Sequence, residues 1–182
     1  QDIVASLDYS KHHGKLKSMI RAFIIVAMTA DGKIARNAGH AATWTSKEDK
    51  KFFVERTKQA GVMIMGQTTY ETIGKPMPGR LNIVYSKKEI PGVETTTLEP
   101  EKLLADLEKR GYKEVAICGG STIYTMFMKA RLVDTLYVTV EPVLFGEGMS
   151  IFNEPLDIQL QLKAFTNLSN DVLLLEYVCK KN

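Results

Sequence analysis

The segment MIMGQTTYETIGKPMPGRLNIVYS, residues 63–86, contains two apolar runs separated by a dense set of turn residues. Short apolar runs next to glycine are typical of buried strands in a mostly parallel sheet. Between them, Gly66 precedes a stretch that we predict to be helical over 68–73. The Pro-Met-Pro-Gly sequence at 76–79 then forms a turn that ends on Arg80. The segment therefore predicts a strand, a short helix, a rigid turn and a second strand.

The same alternation of strands and helices extends on both sides of this segment. We predict early strands over 22–28, 61–66, 80–86, 93–98 and 114–120, and helices over 46–60, 68–73, 100–111 and 121–131. Three later strands, over 134–145, 158–168 and 171–180, follow one another without helices, and Ser169-Asn170 joins the last two as a hairpin. This order predicts an α/β fold with a mostly parallel central sheet of about eight strands, helices on both faces and a C-terminal antiparallel hairpin.

Length and composition exclude several classes of protein. The 182 residues are 45% apolar, which suits one domain with a real core. There are 24 basic and 21 acidic residues without a dense basic patch, so nucleic acid is not the expected partner. No apolar run approaches the roughly 20 residues that a membrane span requires. We therefore expect a protein that binds neither nucleic acid nor membrane.

The cysteines and the first residues suggest the setting of the protein. Cys118 and Cys179 are far apart and lack metal-ligand spacing, so we expect no metal site, buried thiols and a cytoplasmic location. Residues 1–18 are weakly patterned and precede Met19. We interpret them as a leader or an added extension, which leaves 19–182 as the folded domain.

Two strand ends are marked by glycine and followed by hydroxyl side chains. Gly66 precedes Gln67-Thr68-Thr69, and Gly119-Gly120 precede Ser121. Ligands of such sheets lie beyond the carboxyl ends of strands, and helix N-termini bind phosphate groups. The pair is consistent with a diphosphate held from both sides, and ordinary turn formation explains it equally well. The pattern differs from GxGxxG, so it does not indicate a standard dinucleotide-binding fold.

Asp49 is the candidate for proton transfer. Asp49 and Phe53 share one face of the predicted helix, and a carboxylate beside an aromatic ring is suited to handling a proton. The alternative is structural, because Ser46-x-x-Asp49 resembles a capping box that ties the carboxylate to the helix N-terminus. Spacing alone favours that alternative. A box formed by Thr45 and Glu48 instead would leave the Asp49 carboxylate free to face inward.

Three other side chains have both a functional and a structural interpretation. Arg80, fixed by a rigid turn, suits a bidentate grip on a carboxylate, and a solvated surface arginine is the alternative. Trp44 is either a core anchor or a pocket wall, and we favour the core anchor. His40 lies in the long loop over 29–43, where a solvated histidine is the expected state.

Taken together, these stretches resemble dihydrofolate reductase. The resemblance covers Met19 to the C-terminus and is carried by MTADGKIA, WTSKEDKKFF, VMIMGQTTYETIGKPMPGRLNIVYS, AICGGSTIY and LYVTVE. It implies NADPH-dependent reduction of 7,8-dihydrofolate to 5,6,7,8-tetrahydrofolate by hydride transfer to C6. Asp49 would bind the pterin and assist protonation of N5, Arg80 would bind the glutamate tail, and Thr139 would support Asp49. We also expect a monomer that contributes to one-carbon metabolism.

The resemblance also assigns the walls of the site. Residues 35–43 would form a lid over it. The other implied substrate contacts are Ile25, Val26, Phe53 and Ile73. The implied cofactor contacts are Ala27, Ile34, Gly66, Gln67, Thr68, Thr69, Ser86, Lys87, Gly119, Gly120, Ser121, Thr122, Ile123 and Tyr124.

Some positions depart from the family pattern. Gln67 and Thr122 stand where many relatives carry arginines near the adenosine 2′-phosphate, and Lys87 or Lys88 could supply that charge instead. Ala42 and Thr43 replace the usual methionine and proline before the tryptophan, which puts the closure of the lid in question.

Two alternatives stay open. ADGKIA, WTSKED and the stretch from Gly119 to Gly148 also resemble the reductase of riboflavin synthesis, which acts on a ribosylamino-pyrimidine phosphate without a glutamate tail. The turn ending on Arg80 favours folate. The second alternative is a nucleotide-binding relative without catalysis, which would keep the glycine-marked strand ends and would not need Asp49.

Overall fold

The computed structural model describes residues 20–180, so the predicted leader lies outside the described residues. The strands are β1 (Arg21–Thr29), β2 (Val62–Gly66), β3 (Leu81–Tyr85), β4 (Glu94–Thr96), β5 (Glu114–Ile117), β6 (Thr135–Glu141), β7 (Leu160–Asn167) and β8 (Leu173–Cys179). The helices of this part of the chain are α1 (Lys47–Ala60), α2 (Gln67–Ile73), α3 (Pro100–Lys109) and α4 (Ser121–Lys129).

All eight strands form one sheet in the order β4-β3-β2-β5-β1-β6-β8-β7. Neighbouring strands from β4 to β6 are parallel, and β8 and β7 complete the sheet as an antiparallel hairpin. The predicted mostly parallel sheet with a C-terminal hairpin is confirmed. Because parallel strands end at the same edge, the sheet brings together the ends of β2, β5, β1 and β6.

The two faces of the sheet are covered by different helices, as predicted. Alternate residues of β1 point to opposite faces, with Phe23 and Ile25 on one side and Ile24 and Val26 on the other. The Phe23 face packs against side chains of α1 and α2, which include Phe52, Phe53, Tyr70 and Ile73. The opposite face packs against Leu103, Leu104 and Leu107 of α3 and Ile123, Tyr124, Phe127 and Met128 of α4.

Several predicted boundaries change. The strand expected over 134–145 ends at Glu141, because Pro142 has no N–H to continue the ladder. The expected strand over 93–98 shortens to Glu94–Thr96. The stretch that follows β6 turns back over the carboxyl edge of the sheet, where Ala35 and Met149 pair as an isolated antiparallel bridge.

Both ends of helix α1 are capped by residue types that favour those positions. The Ser46 hydroxyl accepts a hydrogen bond from the first turn, as an N-cap serine should. Gly61 ends the helix in the left-handed region at φ 78°, and its N–H donates to the carbonyls of Thr57 and Lys58. The two caps fix the length and the ends of the helix that carries Asp49.

We expect Gly61→Ala to lower the free energy of unfolding by about 1 kcal/mol, because a Cβ disfavours the left-handed backbone. A Cβ at this position meets no atom within 4 Å, so backbone conformation alone determines the loss. Urea unfolding followed by circular dichroism measures it. Gly39→Ala is the matched control, since Gly39 is not in the left-handed region. A Gly61→Ala variant as stable as that control would contradict the assigned cap.

Candidate active site

A cavity of about 510 Å³ lies at the carboxyl edge of the sheet. Its walls come from β1, the loop between β1 and α1, the inner sides of α1 and α2, and the start of α4. The cavity is mostly apolar. Of the residues predicted to form the site, it is lined by Ile25, Val26, Ala27, Ile34, Asp49, Phe53, Thr69, Ile73, Gly119, Gly120, Ser121 and Tyr124.

Asp49 is the acidic side chain in this cavity wall, and it is only 8% exposed. The Thr139 hydroxyl hydrogen-bonds to its carboxylate, and Thr45, whose hydroxyl donates to the Ala42 carbonyl at 3.3 Å, lies close by. Thr139, on β6, is itself 1% exposed and lies behind the cavity wall. Thr139 therefore approaches the carboxylate from the sheet side.

Burial raises the pKa of Asp49 above its ordinary value. The nearby negative charge of Glu141 raises this pKa further, whereas the threonine hydrogen bonds and Lys50 lower it. A carboxyl group with a raised pKa in an apolar cavity is suited to giving or taking a proton near neutral pH.

The backbone of Asp49 takes part in the helix cap, whereas its carboxylate does not. Its backbone N–H donates to the Ser46 hydroxyl at 3.1 Å, so Ser46 rather than Thr45 caps the helix. The Ser46 N–H, however, donates to Glu141 Oε1 at 2.9 Å. The favoured capping interpretation is therefore wrong for the Asp49 carboxylate. Sequence reasoning missed Glu141, because nothing in a strand pattern indicates that its last residue reaches a distant helix.

Asp49→Asn should stabilise the protein increasingly as the pH rises. The folded state binds the Asp49 proton more tightly than the unfolded chain, because the pKa is raised from 3.8. The parent therefore keeps this contribution to stability below the unfolded pKa and loses it as the pH rises through the folded pKa.

Melting temperatures from about pH 4 to about pH 8 test this linkage. The melting temperature of Asp49→Asn should rise relative to that of the parent as the pH increases. Glu55→Gln, an exposed carboxylate on the same helix, should show no such trend. If the difference in melting temperature between Asp49→Asn and the parent did not change with pH, ionising the Asp49 carboxyl would not destabilise the folded state.

The two glycine-marked strand ends are neighbours in the sheet. The Gly66 N–H donates to the Gly119 carbonyl at 2.8 Å. Gly119 has φ +112°, and a Cβ there would lie 3.2 Å from the Tyr124 hydroxyl. A Cβ on Gly120 would lie 3.4 Å from Thr69 Oγ1. The peptide between Gly119 and Gly120 is cis. The absence of side chains here lets this strand end pack closely against Tyr124 and Thr69.

The hydroxyl groups at this end of the site are already bonded to protein. Tyr124 donates to the Ile25 carbonyl at 2.9 Å, and Ser121 donates to the Ser150 carbonyl at 2.8 Å. Both side chains therefore fix neighbouring segments. The backbone N–H groups in the first turn of α4 have no intrahelical partner and are available to an anion.

A second, more open cavity of about 530 Å³ contains Gln67, Ser86 and Lys87, together with Lys88. Ser86 donates to Gln67 Oε1 at 3.0 Å, and Gln67 donates to Glu71 at 2.8 Å. These predicted cofactor residues therefore form a group apart from the first cavity.

Four other predicted residues lie outside both cavity walls. Thr68 and Thr122 are exposed, and Thr122 accepts from the Asn153 amide at 3.0 Å. Ile123 is buried against Gly66. Gly66 itself caps α2.

Arg80 does not line the first cavity. Its guanidinium donates to the Thr57 hydroxyl and to the Pro78 carbonyl. Burial lowers the pKa of Arg80. Within residues 20–180, no carboxylate lies at ion-pair distance from Arg80. The guanidinium thus retains capacity for an added anion.

The loop before α1 covers the cavity and rests on Phe145. Trp44 and His40 contact the Phe145 ring with centroid distances of 5.1 and 5.6 Å, and the Arg36 guanidinium lies 4.1 Å from its centre. Trp44 and His40 also line the cavity, so Trp44 is a pocket wall rather than a core anchor and His40 is not simply solvated. Trp44 Nε1 is buried without a protein partner.

The described residues contain no cluster of three or more side chains suited to hold a metal ion. None of the helices in the same part of the chain is long and apolar enough to cross a membrane. Both cysteines are buried, and no disulfide joins them.

Residues 21–159 match the family model for dihydrofolate reductase. The chain belongs to the dihydrofolate reductase family. The dihydrofolate reductase of Neisseria gonorrhoeae is 36% identical over 141 residues, which cover 75% of this chain and 81% of that relative.

Solved structures of two kinds resemble this chain. Dihydrofolate reductase from Enterococcus faecalis, complexed with NADP(H) and RAB-propyl, superimposes with a TM-score of 0.70 at 25% identity, covering 90% of this chain and 98% of that one. A diaminohydroxyphosphoribosylaminopyrimidine deaminase/5-amino-6-(5-phosphoribosylamino)uracil reductase from Thermotoga maritima gives a TM-score of 0.72 at 18% identity, covering 89% of this chain and 57% of that one. The second likeness establishes a shared fold alone.

Family membership and the Neisseria relative support an oxidoreductase. The Enterococcus complex supports a nicotinamide cofactor within the family. Dihydrofolate reductase homologues act on small molecules, which is consistent with a cavity of this size.

Proposed function

We propose that the protein reduces 7,8-dihydrofolate to 5,6,7,8-tetrahydrofolate with NADPH. The observation that carries this proposal is the buried Asp49 carboxylate in a mostly apolar cavity of about 510 Å³, next to the glycine-marked strand ends. A pterin offers a flat apolar body and a polar edge with N–H donors, which this wall matches. The reaction adds one hydride at C6 and one proton at N5.

Asp49 performs the polar part of this chemistry. Its carboxylate accepts hydrogen bonds from the amide and amino edge of the pterin and assists proton delivery to N5. Thr139 orients the carboxylate from behind. Ile25, Val26 and Phe53 exclude water from the ring, which strengthens the electrostatic effect of Asp49 on the proton.

The residues present fit a dinucleotide. Gly119 and Gly120 line the cavity without side chains, so a ligand can approach their backbone closely, and the first turn of α4 presents free N–H groups to a diphosphate. Lys87 and Lys88 in the second cavity provide positive charge for the adenosine 2′-phosphate, as arginines do in many relatives. When bound, NADPH supplies the hydride, and Ala27 and Ile34 lie in the wall where its ring would enter.

Arg80 is the proposed partner of the glutamate tail. It follows the rigid 76–79 turn and has no carboxylate partner among residues 20–180. Met77, from the same turn, lines the cavity. The tail would therefore leave the cavity past Met77 to reach the guanidinium.

Reduction of a ribosylamino-pyrimidine phosphate is the second candidate. The likeness in fold to the Thermotoga reductase favours it, as does the position of Arg80 outside the cavity wall. That substrate has no glutamate tail and would not require Arg80.

Turnover by Asp49→Asn tests the main proposal. Loss of the ionisable group should lower kcat with dihydrofolate by about 10²- to 10⁴-fold at neutral pH, while the protein stays folded. The assay follows the absorbance of the reduced nicotinamide, with NADPH and NADH compared. Glu55→Gln, on the exposed side of the same helix, should retain parental turnover.

Two results would contradict folate reduction. Turnover with the ribosylamino-pyrimidine phosphate but not with dihydrofolate would assign the riboflavin reaction. NADPH binding without turnover of either substrate would indicate a non-catalytic relative.

Arg80→Leu should raise KM for dihydrofolate by about 10- to 100-fold with little change in kcat, because one charged contact to the tail is lost. The KM for a pterin substrate without the glutamate should be the same in Arg80→Leu and in the parent. Lys75→Leu removes an exposed charge beside the same turn and is the matched control. Equal KM values for Arg80→Leu and Lys75→Leu would exclude the proposed role of Arg80.

A further inference from the structure

We propose that Glu141 is a positioning residue that caps helix α1 from strand β6 and so leaves the Asp49 carboxylate free to face the cavity. The inference rests on the proposed function for its effect on turnover. Its effect on the direction of the Asp49 side chain can be measured without any substrate.

The geometry at the start of α1 is that of an altered capping box. Ser46 is the N-cap and Asp49 is the third helical residue, whose N–H donates to the Ser46 hydroxyl. In a capping box the side chain of that third residue returns to the N–H of the cap. Here Glu141 Oε1 accepts that N–H at 2.9 Å and the Ser46 hydroxyl at 2.8 Å. The site that would hold the Asp49 carboxylate is already occupied.

Strand β6 supplies both the residue that replaces Asp49 in the helix cap and the residue that contacts the Asp49 carboxylate. Glu141 and Thr139 are two residues apart on β6 and so point to the same face of the sheet. They are 2% and 1% exposed. Glu141 binds the helix end, and Thr139 hydrogen-bonds to the Asp49 carboxylate. One strand therefore removes Asp49 from the cap and holds it at the cavity.

Glu141 also acts on Asp49 through its charge. The groups that face Asp49 are Thr45 and Lys50 on its own side, Thr139 and Glu141 from β6, and Tyr124 from α4. Among them only Lys50 is cationic and only Glu141 is a second carboxylate. Burial is the largest cause of the raised pKa of Asp49, and repulsion by Glu141 adds to it.

Two variants separate the hydrogen bonds of Glu141 from its charge. Glu141→Gln keeps an oxygen that can accept both Ser46 groups and removes the negative charge. Glu141→Asp keeps the charge and shortens the side chain by one methylene, which withdraws the carboxylate from Ser46. Asp49 can then return to the vacated N–H. Glu55→Gln controls for a general loss of negative charge.

The first readout is the carboxyl ¹³C titration of Asp49 in the ligand-free protein, assigned by its loss in Asp49→Asn. Glu141→Gln should lower the titration midpoint by about 0.5 pH unit or more, with the Ser46 amide proton still protected from exchange with solvent by the retained hydrogen bond. Glu141→Asp should move the Ser46 amide shift and also lower the midpoint, because helix N–H groups favour the ionised form of Asp49.

The second readout is turnover. Glu141→Asp should lower kcat/KM about tenfold or more, because the carboxylate leaves the cavity. Glu141→Gln should keep kcat within about threefold of the parent and move the pH profile of kcat/KM to lower pH. This contrast would not arise from a purely structural role, in which the shorter acid and the amide would both act through stability.

The outcomes distinguish this inference from the proposed function. Unchanged Asp49 titration and an unchanged Ser46 amide shift in both variants would overturn the inference, whatever the turnover. Shifts as expected in a protein that does not reduce dihydrofolate would support the positioning role and reject folate reduction.

Discussion

Two hydrogen bonds from Ser46 to one oxygen of Glu141 attach the first turn of α1 to the end of β6. This attachment anchors the helix that carries the acidic side chain of the cavity. It sets the entry of the helix over the carboxyl edge of the sheet and places the Asp49 side chain against Thr139. It also leaves a buried carboxylate next to an apolar cavity, where its interactions with a proton are strong.

The charges of the site are distributed unevenly, and the distribution suits the proposed substrate. One carboxylate lies in the cavity wall, one guanidinium lies outside it at the end of the 76–79 turn, and two lysines lie in the second cavity. A ligand with a neutral ring and an anionic tail would match the carboxylate and the guanidinium. A phosphorylated dinucleotide would match the two lysines. The loop that carries Trp44 and His40 closes the cavity by packing on Phe145.

The order of strands and helices was predictable because each element carries its own signal. Apolar runs such as 62–66 and 114–117 are long enough for buried strands, and the absence of a helix after β6 indicated the closing hairpin. The end of β6 was placed too late, since the apolar residues after Pro142 continue the hydrophobic pattern although the ladder cannot continue. The family was also recognisable, because the 63–86 segment combines a strand, a helix and a rigid turn with an unusual arginine.

The sequence by itself determined the class of fold, the family and the residue types available for chemistry. Only the tertiary structure decided which way Asp49 faces, because a local capping box and a contact with β6 compete for the same N–H. The competitor, Glu141, is 95 residues away from Ser46, so no local pattern could reveal it. In the same way, Trp44 and His40 became cavity walls through Phe145, a partner in a distant loop. Local propensity depends on neighbouring residues along the chain, whereas the orientation of a buried polar group depends on whichever partner the fold brings to it.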